Sequence, residues 1–320
     1  LTSFAAGLND NILIIHSYST QENKNWVEEM SRGISDSLGE GYRIEQFEMK
    51  TKVLPKQKHR QRADKALEYY RQIKPSLVFL TDDNALRLTS RAIIKNTPVV
   101  YMGINGSIRS DYPWIMASNN ATGIIEKPLL RRCLLELNKA LNNRLKKILV
   151  LMGDSPSAQA IHENELDGKD HLDLFGSSID IRRGGLALWE KWVASAKQDG
   201  YDAILATTFF TLRDASGKHI SSREFSHWLS EHSPVPVLTV HGEHIGKDKL
   251  LGGVVLSGYR MGREAGLLGL EILEQGAVAG DLYPQTYNDL NIVFSRTQLK
   301  RWGLLIEPPA AGSGKVLFVK

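Results

Sequence analysis

Short apolar runs alternate with helically spaced segments along this chain, and after about residue 122 the alternation begins again. The first round reads as strand Asn11–Tyr18, helix Trp26–Leu38, strand Tyr42–Met49, helix Ala63–Ile73, strand Ser76–Leu80, helix Ala85–Lys95 and strand Pro98–Met102. Apolar strands separated by helices make a parallel sheet covered on both faces. The second round runs through helix Pro128–Leu141, strand Lys147–Met152, helix Ala158–Glu165, strand Ser178–Arg182, helix Leu186–Lys197 and the strands Asp202–Ala206 and Val235–Val240. A single core stops growing efficiently at about 250–300 residues. The 320 residues, 42% of them hydrophobic, therefore point to an α/β chain of two Rossmann-like lobes, each with its own parallel sheet.

The tail says how the lobes are joined. Tyr259–Leu273 is a long amphipathic helix, followed by a strand, Asn291–Ser295, and a short helix through Leu299. These pieces are too few for a third domain, so they must be added to the two lobes. The expected division is 10–121 plus about 252–278 for the first lobe and 124–243 plus about 284–308 for the second. Crossings are then expected near Thr122, near Ile245–Leu256 and near Gly280–Asn288, a three-crossover hinge with Thr122, Gly123, Gly252, Gly253 and Gly280 close to the moving backbone.

Charge and motifs exclude several function classes. Forty basic residues are interspersed with 36 acidic ones for a formal charge of +4, which makes no basic face for nucleic acid. No stretch approaches the roughly 18 apolar residues of a membrane span. The small-residue run Leu1–Gly7, which opens without Met, suits a chain that has lost an export signal. The lone Cys133 lies on a core-facing helical pattern and has no partner for an intrachain disulfide.

An enzyme of two Rossmann-like lobes, such as a glycosyltransferase, is the main rival. It would need a nucleotide site, yet no Gly-x-Gly-x-x-Gly follows a strand, and Gly312-Ser-Gly-Lys315 lacks the first glycine and final hydroxyl of a phosphate loop. No serine sits in Gly-x-Ser-x-Gly. His241, Glu243 and His244 lie close in sequence, as do His162 and Glu163, but neither group makes a metal site by itself. No cofactor or metal is expected.

Ligands of open parallel sheets bind beyond the carboxyl ends of the strands. Those ends are polar here: Ser17 and Tyr18 after the first strand, Asp82, Asp83 and Asn84 after the third, Gly103 and Asn105 after the fourth. The second lobe offers Asp154, Ser155 and Ser157, then Thr207 and Thr208, then His241. Such groups supply acceptors for an ammonium and donors for a carboxylate. Asp83, Asn84 and Ser155 are equally suited to capping the helices that follow them. Tyr18, Trp26, Tyr101 and Phe209 are candidate apolar walls or, alternatively, core residues.

On these same residues the chain resembles substrate-binding proteins of ABC transporters of the tryptophan-binding type. The likeness rests on Ile12–Tyr18 with Trp26 and Arg32-Gly-Ile34, on Phe79–Leu86, Pro98–Asn105 and Ala121–Ile124, and on Gly258–Gly266, Asn291–Phe294 and Leu299–Gly303. It covers the chain from Asn11 to about Pro308. It implies a type I periplasmic binding protein fold and an exported, soluble, monomeric protein that closes on a small organic ligand in the cleft between its lobes. The ligand class implied is an amino acid or other carboxylate, and the partner a permease of an ABC transporter. The Asp-Asp-Asn-Ala-Leu and Gly-Ile-Asn segments look most like a branch used as sensing ectodomains of membrane signalling proteins, which is the alternative reading. The charged stretch Thr211–Glu231 is longer and more polar than the family pattern.

Overall fold

The computed structural model describes residues 10–126, 130–287, 290–306 and 315–320. The opening run Leu1–Gly7 and residues 312–314 of the tail lie outside the described residues. The chain divides into two units, Leu1–Lys127 with Ser257–Asn288 and Pro128–Leu256 with Asp289–Lys320.

The first unit begins with β1 (Asp10–His16), α1 (Thr20–Leu38), β2 (Tyr42–Glu48), α2 (His59–Ile73), β3 (Leu77–Thr81), α3 (Asp82–Ile93) and β4 (Val99–Ile104). Two one-turn helices, α4 (Ile108–Asp111) and α5 (Pro113–Met116), then lead to β5 (Ala121–Glu126). The second unit takes over with α6 (Leu130–Ala140), β6 (Lys147–Met152), α7 (Pro156–Glu165), β7 (His171–Leu174), β8 (Ser177–Arg183), α8 (Leu186–Ser195), β9 (Ala203–Ala206), α9 (Ser222–His232), β10 (Val237–Thr239) and β11 (Gly252–Leu256). α10 (Gly258–Gln275) and β12 (Gln285–Tyr287) return to the first unit, while β13 (Leu290–Ser295), α11 (Arg296–Trp302) and β14 (Lys315–Val319) belong to the second.

The first sheet has the order β12-β5-β4-β3-β1-β2 and is parallel throughout. The second has the order β14-β13-β11-β10-β9-β6-β8-β7, parallel except where β13 meets β11 and β7 meets β8. Counted from the first strand of each unit, with the edge strand β7 set aside, β2-β1-β3-β4-β5 and β8-β6-β9-β10-β11 are the same 2-1-3-4-5 arrangement, built twice. Its strand order reverses between β1 and β3 in one sheet and between β6 and β9 in the other, and ligands of such sheets sit outside the carboxyl ends at that reversal. β1, β3 and β4 bury nearly every side chain, as strands covered by helices on both faces must.

Several expectations need correction. The strand at 252–256, assigned to the first lobe by sequence, lies between β10 and β13 in the second sheet, and β5 at 121–126 pairs with β4 in the first. Gly123, Gly252 and Gly253 are accordingly strand residues, not joints. A Cβ on Gly253 would stand 1.7 Å from the Thr239 carbonyl oxygen, and one on Gly123 would stand 2.1 Å from that of Tyr101. Their small size serves packing between neighbouring backbones. The stretch Thr211–Glu231 holds most of α9, whose buried positions include Phe225 and Leu229, and β7 forms an edge hairpin with β8.

Candidate functional site

The carboxyl ends of β1 to β4 are tied into a rim by side chains. The Ser17 hydroxyl donates to the Thr81 carbonyl at 2.8 Å and accepts from the Ala85 N–H at 2.7 Å, which joins β1 to the first turn of α3. Thr51, just after β2, donates its hydroxyl to the Ser17 carbonyl at 2.8 Å and accepts from the Asn84 amide at 3.0 Å. Asp83 accepts from the N–H groups of Asn105 at 3.2 Å and Gly106 at 3.0 Å, and from the Tyr112 hydroxyl. These three contacts go far toward filling the acceptor capacity of a carboxylate. Ser17, Asp83 and Asn84, all read from sequence as ligand contacts, are thus engaged in bracing the loops around the rim.

Asp82 is placed differently. It opens α3 with a left-handed φ of 63°, a conformation that aspartate tolerates better than most residues. Its side chain is buried, and one oxygen lies 3.2 Å from where a Cβ on Gly103 would stand. Gly103, itself at φ 69° and at an irregularity in the β4–β5 pairing, therefore leaves the space that the carboxylate fills. The Trp26 indole N–H donates to this carboxylate, and the Thr81 hydroxyl lies at 3.4 Å. Burial pushes the Asp82 carboxyl up from 3.8 to about 7, against the opposing pull of the Lys52 ammonium and with a smaller push from Asp83. Lys52, buried after β2, holds its ammonium 3.7 Å from the centre of the Tyr18 ring, a cation–π distance.

Behind this group lies a chain of polar contacts. His16 Nδ1 is 3.1 Å from the Thr81 hydroxyl, and its Nε2 faces the Ser31 hydroxyl at 3.1 Å and the Gln46 amide oxygen at 3.2 Å. Burial holds the imidazole down at about 4 from its ordinary 6.5, so it is neutral at pH 7. Trp26 is held from behind by α10: a Cβ on Gly258 would stand 3.2 Å from both the Trp26 ring and its carbonyl oxygen.

In the second unit, Ser155 caps α7 by accepting from the Ala158 N–H at 3.2 Å. Asp154 is exposed and Ser157 half-buried. Thr207 donates its N–H to the Leu151 carbonyl at 2.9 Å, with its hydroxyl 3.4 Å from the same oxygen. Thr208, at φ 46°, accepts from the Gly153 N–H at 3.1 Å. His241 meets the Phe210 ring edge-on at 4.3 Å between centres, and the buried His244 lies 3.8 Å from the Glu243 carboxylate. Phe209 and Tyr101, candidate walls in the sequence, are fully buried in the cores of their units.

Sequence reasoning missed Lys52. The signal was available, because a cation three residues beyond the apolar end of the second strand occupies a strand-end position like the others. In the first unit the structure gathers Tyr18, Asp82 and Gly103 with Lys52 and Trp26. In the second, Gly153, Thr207 and Thr208 meet at the reversal between β6 and β9, with His241 just past the end of β10.

No protein-family model matches this chain, and no curated protein sequence does. Solved structures do. The ABC domain in complex with L-Trp from Streptococcus pneumonia is 16% identical, with a TM-score of 0.68, and the likeness covers 96% of this chain and 99% of that one. A ligand-free, open substrate-binding protein with adhesive properties from Clostridium difficile is 15% identical, with a TM-score of 0.63 over 97% of this chain and 100% of that one. A 5-methylthioribose transporter solute-binding protein from Thermotoga lettingae, in complex with 5-methylthioribose, is 13% identical, with a TM-score of 0.53 over 91% and 88%. At such identities the likeness is one of fold. Each unit is Rossmann-like, and together they make the type I periplasmic binding protein fold.

Proposed function

We propose that the chain is a solute-binding protein that captures a small organic ligand at the carboxyl ends of its strands and delivers it to the permease of an ABC transporter. The observation that carries this reading is the duplicated 2-1-3-4-5 sheet with a polar group at each strand reversal: Tyr18, Asp82 and Gly103 with Lys52 in the first unit, Gly153, Thr207 and Thr208 in the second. Solved proteins of the same fold bind L-Trp and 5-methylthioribose, which supports a compact organic ligand. The first unit offers a cation, a carboxylate and two aromatic rings, a set suited to an amino acid or another carboxylate with an apolar body.

Asn105 in the first unit and Asp154, Ser155, Ser157 and His241 in the second complete the proposed contacts. Capture closes the two units on the ligand. The protein works as a monomer outside the cytoplasm. A thermal-shift screen of amino acids and related metabolites tests the reading, because a ligand bound only to the folded state raises the melting temperature with its concentration. Small-angle scattering of the saturated protein should then show a smaller radius of gyration. A screen in which only nucleotides or metal ions stabilise the chain would refute solute binding of this kind.

A further inference from the structure

The two neighbouring acids at the start of α3 differ in what surrounds them. Asp83 takes three hydrogen bonds from its own unit. Asp82 accepts two among the described residues, from the Trp26 indole and, at 3.4 Å, from the Thr81 hydroxyl, and it fills a packing space that only a glycine at 103 provides. An ionised carboxylate has about four acceptor sites, so among the described residues Asp82 retains acceptor capacity that its two hydrogen bonds do not use. A buried carboxylate short of donors is costly, and it persists at a strand reversal where ligands of this architecture bind. Trp26 donates to it, and Tyr18 lies beneath the neighbouring ammonium of Lys52, so the group has aromatic surroundings suited to a second cation.

We propose that Asp82 reads the ammonium group of the ligand and gives up its own proton as that group binds, so that solute capture at the first unit is proton-linked. This rests on the solute-binding reading and narrows it to amines and amino acids. The balance is simple: the carboxyl O–H breaks, its proton passes to the buffer, and the ligand, which arrives as an ammonium, forms an N–H to carboxylate bond. Among the described residues, the charged and titratable groups facing Asp82 are Lys52 after β2, Asp83 on α3 and, through Thr81, His16 at the end of β1. The ligand's ammonium completes the neutralisation that Lys52 only begins.

The test uses matched triads on the whole chain: tryptophan, tryptamine and indole-3-propionate; phenylalanine, phenethylamine and 3-phenylpropionate; leucine, isoamylamine and 4-methylpentanoate. Titration calorimetry in buffers of different ionisation enthalpy counts the protons released. With the Asp82 midpoint at about 7, binding of an ammonium-bearing member should release about 0.9 proton at pH 6, about 0.5 at pH 7 and about 0.1 at pH 8, and affinity should rise roughly tenfold from pH 6 to pH 8. Asp82→Asn should weaken that binding at least ~30-fold and abolish the release.

Proton release in the wild-type chain decides the matter even if the variant misfolds. Binding without release, or an acid binding as tightly as its amino acid, overturns the proposal and leaves solute capture standing. So does a wider screen in which only solutes without an ammonium bind. Both readings fall together only if no organic solute in that screen stabilises the protein.

Discussion

Replacing Asp82 with asparagine should make the ligand-free protein more stable, whereas replacing the adjacent Asp83 with alanine should make it less so. Burial raises the Asp82 carboxyl to about 7, above the 3.8 of an ordinary aspartate. Between those values the folded chain holds a proton that the unfolded chain has released. The protonated form therefore contributes stability that is fully present below the unfolded value and is lost as pH rises through about 7. At ~1.4 kcal/mol per unit, the ionised form costs on the order of 4 kcal/mol at pH 8. Asparagine keeps the shape and removes the charge, so its advantage over wild type should grow by roughly 2–3 kcal/mol from pH 5 to pH 8, whatever constant offset the altered Trp26 contact adds.

Asp83→Ala instead strands two backbone N–H groups and the Tyr112 hydroxyl, a loss of about 3–5 kcal/mol at 1–3 kcal/mol per buried group with partial rescue by water. Hydrogen exchange at the β1 and β3 amides reads the opening energy of the first unit by itself, at both pH values. An Asp82→Asn advantage that stays constant with pH would refute the idea that this carboxylate ionises against burial. A neutral Asp83→Ala would refute its bracing role.

Two more outcomes follow from the same strand ends. Burial holds His16 at about 4 against an ordinary 6.5, so its contribution is present above 6.5 and lost as pH falls toward 4, by ~3 kcal/mol. Its imidazole 15N shifts should stay unchanged from pH 7.5 to pH 5, and a midpoint near 6.5 would contradict the buried, hydrogen-bonded ring. Gly103→Ala places a side chain at φ 69° with its Cβ 3.2 Å from an Asp82 oxygen. It should cost about 1–2 kcal/mol, and a variant that melts at the wild-type temperature would show that the glycine is not needed there.

Much of the fold was legible because its signals are local. An apolar run of five or six residues between helical segments is too short for a helix of ordinary length and reads as a buried strand, and β6, expected at Lys147–Met152, is found there to the residue. The failures came where a residue type has two meanings. Gly252-Gly-Val-Val-Leu256 reads as a glycine joint, yet its glycines let β11 sit against β10 and β13. The β7–β8 hairpin turns at Phe175 and Gly176, both at positive φ, 53° and 75°, as a tight hairpin turn demands, and of the two only Gly176 marks it in the sequence. It was overlooked because His171-Leu-Asp-Leu174 is short and half polar. In α9, serines at buried positions such as Ser226 and Ser230 mask the helical stripe that Phe225 and Leu229 mark.

The sequence marks the candidate site as a set of strand-end positions and not as a set of roles. Asp82 and Asp83 are the same residue type, side by side after the same strand, and no local rule separates them. What separates them arrives from elsewhere in the unit: Asn105, Gly106 and Tyr112 turn their donors to Asp83, while Asp82 receives the Trp26 indole, the hollow over Gly103 and the field of Lys52. Roles of this kind are set by donor supply, a tertiary quantity that depends on which loops the sheet order brings together. A polar strand end therefore indicates where to look for a ligand, and the number of hydrogen bonds each group already accepts indicates which of them is left to bind it.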